Sequence, residues 1–187
     1  VGSEMCIRDR PGMEKGHVVA SPMELFDIVP TTLELAGIEA QHTHFSRSQV
    51  DALRGGDADP HRAVFAGGGY DGHEPHCFEG KPSDGVAGDP NGIYYPKGLQ
   101  QQEYPESVCR AHMVRTANHK LVRRSSGRHE LYDLSSDPHE LDNAYGRAEY
   151  DGVQQSLEDR LLNWHLLTSD VTPHEADPRG FPEGTVK

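Results

Sequence analysis

Three segments in the middle of the chain alternate apolar and polar residues, and short turn sequences separate them. The segments cover residues 111–116, 120–124 and 130–134. Asn118 stands in the first turn, and asparagine tolerates the left-handed backbone that a tight hairpin turn requires. Ser125–Gly127 supplies the second turn. This pattern constrains the fold more than any other feature, because it predicts an antiparallel meander of three strands.

An amphipathic helix is predicted directly after the meander, over residues 147–167. Its apolar residues recur at steps of three and four, which places them on one helix face: Tyr150, Val153, Leu157, Leu161 and Trp164. A helix with one apolar stripe covers one face of a sheet, so the predicted fold class is α/β, of the α+β kind. We expect Trp164 to lie in the core.

A second helix is predicted over residues 22–36. Ser21–Glu24 has the form of a capping box, with a proline at the first helical position. Gly37 is a natural terminator at the C-terminal end. Pro30 lies inside the pattern and predicts a kink.

Residues 1–10 show neither strand alternation nor a helix cap. They resemble a leader that recurs on conceptual translations of assembled environmental reads. We therefore interpret 1–10 as non-native and treat 11–187 as the region to be explained. The helix at 22–36 has no candidate strands before it, which predicts that its own sheet lies outside this sequence.

The charge and cysteine content exclude some functional classes. Eighteen Lys and Arg residues against 30 Asp and Glu residues give a net charge of −12. A nucleic-acid-binding surface needs a basic stripe to neutralise phosphates, so we predict no nucleic-acid partner. No apolar stretch approaches the roughly 18 residues of a membrane span, so we also predict no membrane partner. Three cysteines cannot form a disulfide framework, and the cellular compartment stays open.

The remaining segments are predicted to form one strand, one long loop and one tail. Residues 63–66 form a short apolar run that suits a buried strand. The segment 67–108 is rich in Gly, Pro, Asp, His and Tyr, and a loop of this length is usually functional or disordered. Residues 109–167 then form the antiparallel subdomain, and 168–187 form an extended tail.

The start of the long loop is the most site-like part of the sequence. It leaves the end of a strand and carries four side chains that can hydrogen-bond a hydroxyl-rich ligand: Tyr70, His73, Glu74 and His76. Strand ends are where α/β enzymes gather their binding sites, so we predict that these residues line a substrate pocket. A solvated surface loop is the alternative. A zinc site is disfavoured because Pro75 breaks the helix that would present both histidines, so no metal ligand is predicted. No catalytic residue is predicted in this sequence either.

Three segments resemble, in order and spacing, the C-terminal part of the sulfatase family in the alkaline-phosphatase-like superfamily. The first is Pro11-Gly12 followed by Leu25–Ile38, where family members tend to read Asp-Ile-x-Pro-Thr-Leu-Leu-Glu-Leu-Ala-Gly. The second is Arg115-Thr-x-x-x-Lys120-Leu-Val with Glu130–Leu134, and the third is Asp137-Pro-x-Glu140-x-x-Asn143. The resemblance covers residues 11–187 and implies the C-terminal part of an alkaline-phosphatase-like fold.

The resemblance also implies what the parent enzyme does. Sulfatases hydrolyse sulfate monoesters, here of a small molecule or a carbohydrate, with a formylglycine nucleophile and a divalent metal such as calcium. The formylglycine arises from Cys or Ser in a Cys/Ser-x-Pro/Ala-x-Arg motif, which does not occur in this sequence. We therefore expect no cofactor within this fragment and no activity of the fragment alone.

Two alternatives stay open. In the first alternative, the parent is a phosphodiesterase or phosphonate hydrolase of the same superfamily, since such enzymes share the C-terminal architecture. In the other alternative, the chain is a self-contained, non-catalytic module that binds a ligand through its 67–108 loop.

Overall fold

The computed structural model describes residues 12–41, 43–57, 59–70, 89–93 and 95–169. It divides into two compact units. One unit holds the chain up to Val64 together with the residues from Leu162 onward, and the other holds Phe65–Leu161. None of the described helices is both long and apolar enough to cross a membrane.

The second unit is built on a four-stranded sheet. Its strands are β1 (Val64–Gly68), β2 (Ala111–Arg115), β3 (His119–Arg124) and β4 (Glu130–Asp133), and they lie in sequence order across the sheet. β2 pairs with β3, and β3 with β4, in the antiparallel direction. The predicted meander is confirmed, and β1 joins it at the edge beside β2.

Strand β3 forms the centre of the core in this unit. Leu121 lies opposite Val114 on β2 and Leu131 on β4, and all three side chains are fully buried. The next residue, Val122, is buried as well. Because successive strand residues point to opposite faces, both faces of the sheet are covered at this point.

A helix and a 3₁₀ turn lie between β1 and β2 in the sequence. Helix α3 (Tyr95–Glu103) and a 3₁₀ turn (Pro105–Val108) lie within the predicted loop 67–108, so that segment is not all loop. The sequence prediction missed α3 because it has no apolar stripe, and Pro96 and Gly98 within it are poor helix formers. Residues 71–88 of the predicted loop lie outside the described residues.

Helix α4 (Asp151–Thr168) is the predicted amphipathic helix, and a 3₁₀ turn at Ala148–Tyr150 leads into it. Its buried stripe consists of Leu157 and Leu161. Trp164, expected in the core, is only half-buried. An 18-residue helix is about 27 Å long, and its apolar stripe is buried only at Leu157 and Leu161.

The N-terminal helix begins later than predicted. A 3₁₀ turn at Leu25–Asp27 precedes α1 (Ile28–Ala36), and the capping box joins Glu24 to Asp27. Pro30 lies in the first turn of α1, where its missing N–H needs no partner, and therefore it produces no kink. Gly37 ends the helix with a φ of 68°, as the sequence predicts.

Ser21, predicted to cap this helix, bonds elsewhere. Its hydroxyl oxygen accepts from the backbone N–H of Asp59 at 2.5 Å and lies 3.2 Å from the Asp59 carbonyl oxygen. This contact joins the start of the unit to the segment after α2 (Val50–Leu53). A sequence pattern cannot distinguish such a long-range partner from a local cap, because serine satisfies either.

Candidate functional site

Three glycines, Gly67–Gly69, stand at and directly after the end of strand β1, and close packing leaves no room for a side chain at two of them. A Cβ atom on Gly67 would lie 2.6 Å from Nδ1 of His112. Gly69 has a φ of 88°, and a Cβ atom there would lie 2.2 Å from the carbonyl oxygen of Cys109. The His112 side chain therefore packs against Gly67, and the backbone at Gly69 approaches that of Cys109 more closely than a side chain permits.

Tyr70 is held in place directly after these glycines. Its backbone N–H donates to the carbonyl oxygen of Val108 at 2.7 Å, and it forms an isolated parallel bridge with Cys109. The residue is half-buried. The end of β1 is thus fixed by main-chain bonds to the segment that enters β2, and the following loop departs from a defined point.

A cavity of about 300 Å³ opens beside this strand end. Its lining consists of Ala66–Gly69, Ser107–Cys109, Ala111, Met113 and Arg124. The glycines leave the main chain of β1 open to the cavity, because they have no side chain to cover it. A polar ligand group can therefore approach backbone N–H and C=O groups there.

Arg124 is the charged side chain of the cavity wall. Its Nε atom donates to Oε1 of Glu130 at 2.7 Å, and this hydrogen bond to the Glu130 carboxylate raises the pKa of Arg124. The guanidinium is thus held in one orientation by a partner on β4. Its charge is partly compensated, which suits it to position a ligand rather than to transfer a proton.

Cys109 contributes a thiol to the same wall and forms no disulfide. Its Sγ atom donates to Oγ of Ser126 at 3.5 Å. Burial raises the pKa of the thiol, but hydrogen bonding with Ser126 and Ser125 and the nearby charge of Arg124 outweigh it, so the pKa lies below its usual value. A thiol with this partner is a polar lining group.

The structure describes only one of the four predicted site residues. The structure positions Tyr70 next to Gly69, which lines the cavity. His73, Glu74 and His76 lie outside the described residues. Their role in binding substrate stays a prediction.

Sequence reasoning missed Cys109 and Arg124 as lining residues. The antiparallel register pairs Ala111 with Arg124, which brings the residues before β2 beside the turn after β3. The hairpin pattern contained this signal, because the turn position sets the register of the two strands. The hairpin register alone does not place these residues in the cavity wall, because it does not show that β1 pairs with the β2 edge of the sheet.

The described residues contain no group of three or more His, Cys, Asp or Glu side chains that could hold a metal ion. The carboxylates of the turn after β4 have structural roles instead. Asp133 Oδ1 accepts from the N–H of Ser135 at 3.0 Å, and Asp137 Oδ2 accepts from that of Asp142 at 2.8 Å. Both act as turn-forming acceptors.

Residues 91–166 match the family model described as N-sulphoglucosamine sulphohydrolase, C-terminal. The match runs from just before α3 through most of α4 and includes β2, β3 and β4. It therefore covers the wall of the cavity that comes from β2 and β3.

Proteins with similar sequence or fold include a sulfatase and a phosphonate monoester hydrolase. An N-acetylglucosamine-6-O-sulfatase of Bacteroides thetaiotaomicron is 34% identical over 79 residues, which are 40% of this chain and 14% of that protein. A phosphonate monoester hydrolase from Silicibacter pomeroyi has a TM-score of 0.60 at 22% identity, over 92% of this chain and 31% of that one. A protein solved in complex with its substrate D-glucosamine-2-N,6-O-disulfate has a TM-score of 0.53 at 23% identity, over 81% and 25%.

These structural neighbours show the fold: the chain has the architecture of the region that it matches in each of them. The chain spans less than a third of the length of the proteins that it matches.

Proposed function

We propose that this chain carries the C-terminal region of a sulfatase-family enzyme. In that enzyme, which hydrolyses sulfate monoesters, the region forms one wall of the substrate pocket. The observation that carries this proposal is the end of β1. There, close-packed glycines expose main chain to a cavity, and Tyr70 begins the segment with the predicted binding residues.

The substrate we propose is a sulfated carbohydrate. Two of the similar proteins act, by their names, on sulfated glucosamine derivatives. A sugar ring offers several hydroxyl groups, and Tyr70, His73, Glu74 and His76 are able to donate to or accept from them. In this proposal Arg124 and the exposed main chain of β1 contact the sugar at groups that lie away from the reacting sulfur, and these contacts position the substrate.

The reaction itself needs groups that the described residues do not provide. Sulfatases use a formylglycine and a divalent metal, and the residues that the structure describes contain no cluster fit for a metal. We therefore assign no step of the hydrolysis to this chain. Its contribution is binding and orientation, which accelerate a reaction by holding the substrate in place.

A phosphonate monoester hydrolase is the second candidate. It is favoured by the neighbour from Silicibacter pomeroyi, whose fold match covers 92% of the chain. Sulfate and phosphonate monoesters both present a tetrahedral oxyanion, so a shared C-terminal wall suits either substrate.

A domain replacement tests the proposal and separates the two candidates. Residues 11–187 replace the matching C-terminal region of the Bacteroides thetaiotaomicron sulfatase, and turnover of N-acetylglucosamine 6-sulfate and of a phenyl phosphonate monoester is compared. We expect sulfate turnover that falls when His73 or His76 is changed to Ala, by roughly 3- to 100-fold in kcat/KM. If neither substitution changes the turnover of either substrate, the loop does not contact the substrate. A preference for the phosphonate would select the second candidate.

A further inference from the structure

The turn between β3 and β4 is closed by a histidine side chain. Nδ1 of His129 accepts from the backbone N–H of Arg124 at 3.2 Å, just beyond the last pair of the β3–β4 ladder, Val122 with Glu130. Within the turn, the N–H of Gly127 donates to the carbonyl oxygen of Arg124, and the N–H of His129 donates to that of Gly127, each at 3.1 Å. The imidazole therefore serves this N–H as the acceptor that a strand partner would otherwise supply.

The position of His129 is fixed at both its main chain and its ring. Its carbonyl oxygen accepts from the side-chain amide of Asn143 at 3.0 Å. The amide oxygen of Asn143 in turn accepts from the N–H groups of Leu131 and Tyr145, each at 3.0 Å. The ring of His129 lies 5.1 Å from that of Tyr145, tilted by 58°. The Nδ1 atom is thus held towards the N–H of Arg124.

The hydrogen bond to His129 requires a neutral imidazole. Nδ1 accepts only while it carries no hydrogen, so the neutral ring carries its hydrogen on Nε2. Protonation places a second hydrogen on Nδ1 and turns this acceptor into a donor. The N–H of Arg124 then faces another N–H, and the bond is lost because two donors cannot pair.

The surroundings of the ring disfavour its protonation. Burial lowers the pKa of His129, and the charge of Arg123 on β3 lowers it further, whereas the charge of Glu158 on α4 raises it. Arg123 and Glu158 form an ion pair, and the hydroxyl of Tyr145 accepts from the first and donates to the second. The folded state therefore favours the neutral ring more than the unfolded chain does.

The turn that His129 closes carries groups of the cavity wall. The side chain of Arg124 points to the opposite face of the sheet, where it bonds to Glu130 and lines the cavity. The hydroxyl of Ser126 accepts from the thiol of Cys109, which lines the same cavity. Loss of the bond between His129 and the N–H of Arg124 therefore loosens both sides of this wall.

We propose that His129 is a positioning residue that works as a pH-operated latch. Its neutral ring holds the β3–β4 turn closed and keeps Arg124 and Cys109 in the cavity wall, and protonation of the ring opens the turn. The latch opens at a pH below the ordinary titration range of a histidine, because the surroundings disfavour the charged ring. It is a property of this chain alone, and only its consequence for substrate rests on the proposed function: binding in the cavity weakens in acid.

Amide NMR of the 187-residue chain tests the latch without any substrate. The ring signals of His129 and the hydrogen-exchange protection of the Arg124 amide are followed from about pH 7.5 to about pH 4.5. We expect the protection factor of Arg124 to fall roughly tenfold or more. The amide shifts of Ser126 and Cys109 should change at the same midpoint as the ring. Titration of the ring while these amides stay unchanged would overturn the proposal.

Three variants separate the ring from a general effect of acid. Asparagine offers an acceptor oxygen where the ring has Nδ1 but does not titrate, so His129→Asn should keep the turn closed and abolish the transition. His129→Leu should show the amide shifts of the acid form already at neutral pH. His139→Asn removes an exposed histidine of the segment after β4 and should leave the transition intact. A transition that persists in His129→Asn, or neutral shifts in His129→Leu, would contradict the latch.

The consequence for substrate is measured separately, with N-acetylglucosamine 6-sulfate as the probe. Its dissociation constant from the 187-residue chain should rise several-fold between neutral and acidic pH, and it should stay constant in His129→Asn. Equal pH dependence in both chains overturns the control of the cavity by His129. Absence of binding at either pH, with the amide transition intact, leaves the latch standing and counts only against the proposed function.

Discussion

Lys120 on β3 forms an ion pair with Glu140, its Nζ atom donating to the Oε2 atom of the carboxylate. Both side chains are mostly buried. Glu140 has a φ of 57°, a left-handed conformation that side chains other than glycine rarely adopt. The two residues come from different segments of the family resemblance, the Arg-Thr-x-x-x-Lys and the Asp-Pro-x-Glu motifs. Their contact explains why a glutamate stands where the backbone alone favours glycine.

Substitution of Glu140 separates the ion pair from the backbone strain. Glu140→Ala removes the pair and keeps the strained backbone, so we expect a loss of about 1–2 kcal/mol in the free energy of unfolding. Glu140→Gly removes the pair but relieves the strain, and its loss should be smaller by up to about 1 kcal/mol. Urea unfolding of both variants measures the difference. A glycine variant less stable than the alanine variant would show that the backbone conformation is not strained.

Gly69 should be essential for the end of β1, and Gly68 should not. Gly69→Ala places a Cβ atom 2.2 Å from a carbonyl oxygen at a φ of 88°, and we expect destabilisation of about 2–4 kcal/mol. Gly68→Ala meets nothing within 4 Å and is the matched control. Thermal unfolding and the NMR shift of the Tyr70 amide report stability and position. Equal effects of the two substitutions would contradict the close approach of β1 to Cys109.

The buried pair of Asp27 and Arg62 predicts a pH dependence of stability. Burial raises the pKa of Asp27, but its hydrogen bonds with Arg47, Glu24 and Arg62 outweigh burial and hold the pKa below the ordinary value of an aspartate, so the folded state favours the carboxylate more than the unfolded state does. Its stabilising contribution is complete above that value and is lost as the pH falls through the lower pKa of the folded state. Unfolding free energies measured from pH 6 down to pH 2 should fall across this window.

Asp27→Asn should reduce that pH dependence and cost about 3–5 kcal/mol at neutral pH, because it leaves Arg62 buried without a counter-charge. Asp142→Asn serves as the control, since its carboxylate is exposed and pairs with Arg147 at the surface. An unchanged pH slope in the Asp27 variant would assign the dependence to other carboxylates.

Leu157 and Trp164, both on α4, should differ in their contribution to stability. Leu157 is 3% exposed, and Leu157→Ala should cost about 2–5 kcal/mol. Trp164 is only half-buried, so Trp164→Ala should cost less, despite its larger side chain. Denaturant midpoints at equal m-values provide the comparison. The reverse order would place Trp164 in the core, where the helix periodicity alone puts it.

The 187-residue chain should not turn over an aryl sulfate, with or without calcium or magnesium. The sequence has no Cys/Ser-x-Pro/Ala-x-Arg motif for a formylglycine, and covalent sulfate transfer needs such a nucleophile. Release of the aryl alcohol is followed against a heat-treated sample. Turnover clearly above that background would show that the chain holds a complete active site.

The hairpin strands, helix α4 and the end of α1 at Gly37 could be predicted from the sequence alone. Each depends on local rules: alternation for strands, three- and four-residue steps for helices, and glycine at a left-handed position. Helix α3 was missed because its apolar residues show no such period. The start of α1 differs because Ser21–Glu24 has the form of a capping box, whereas Glu24 and Asp27 form the box in the structure.

Tertiary structure decided which residues from distant parts of the sequence lie next to each other. The pairing of Asp27 with Arg62 joins residues 35 positions apart, and the pattern of α1 does not indicate that its apolar side faces outward. Likewise, the meeting of Gly69 with Cys109 and of Lys120 with Glu140 depends on register and turn geometry. Local periodicity follows from the backbone hydrogen bonds of each element, whereas these contacts follow from the burial of charges and the packing of separate elements. The sequence determined which elements form, and packing determined which side chains meet.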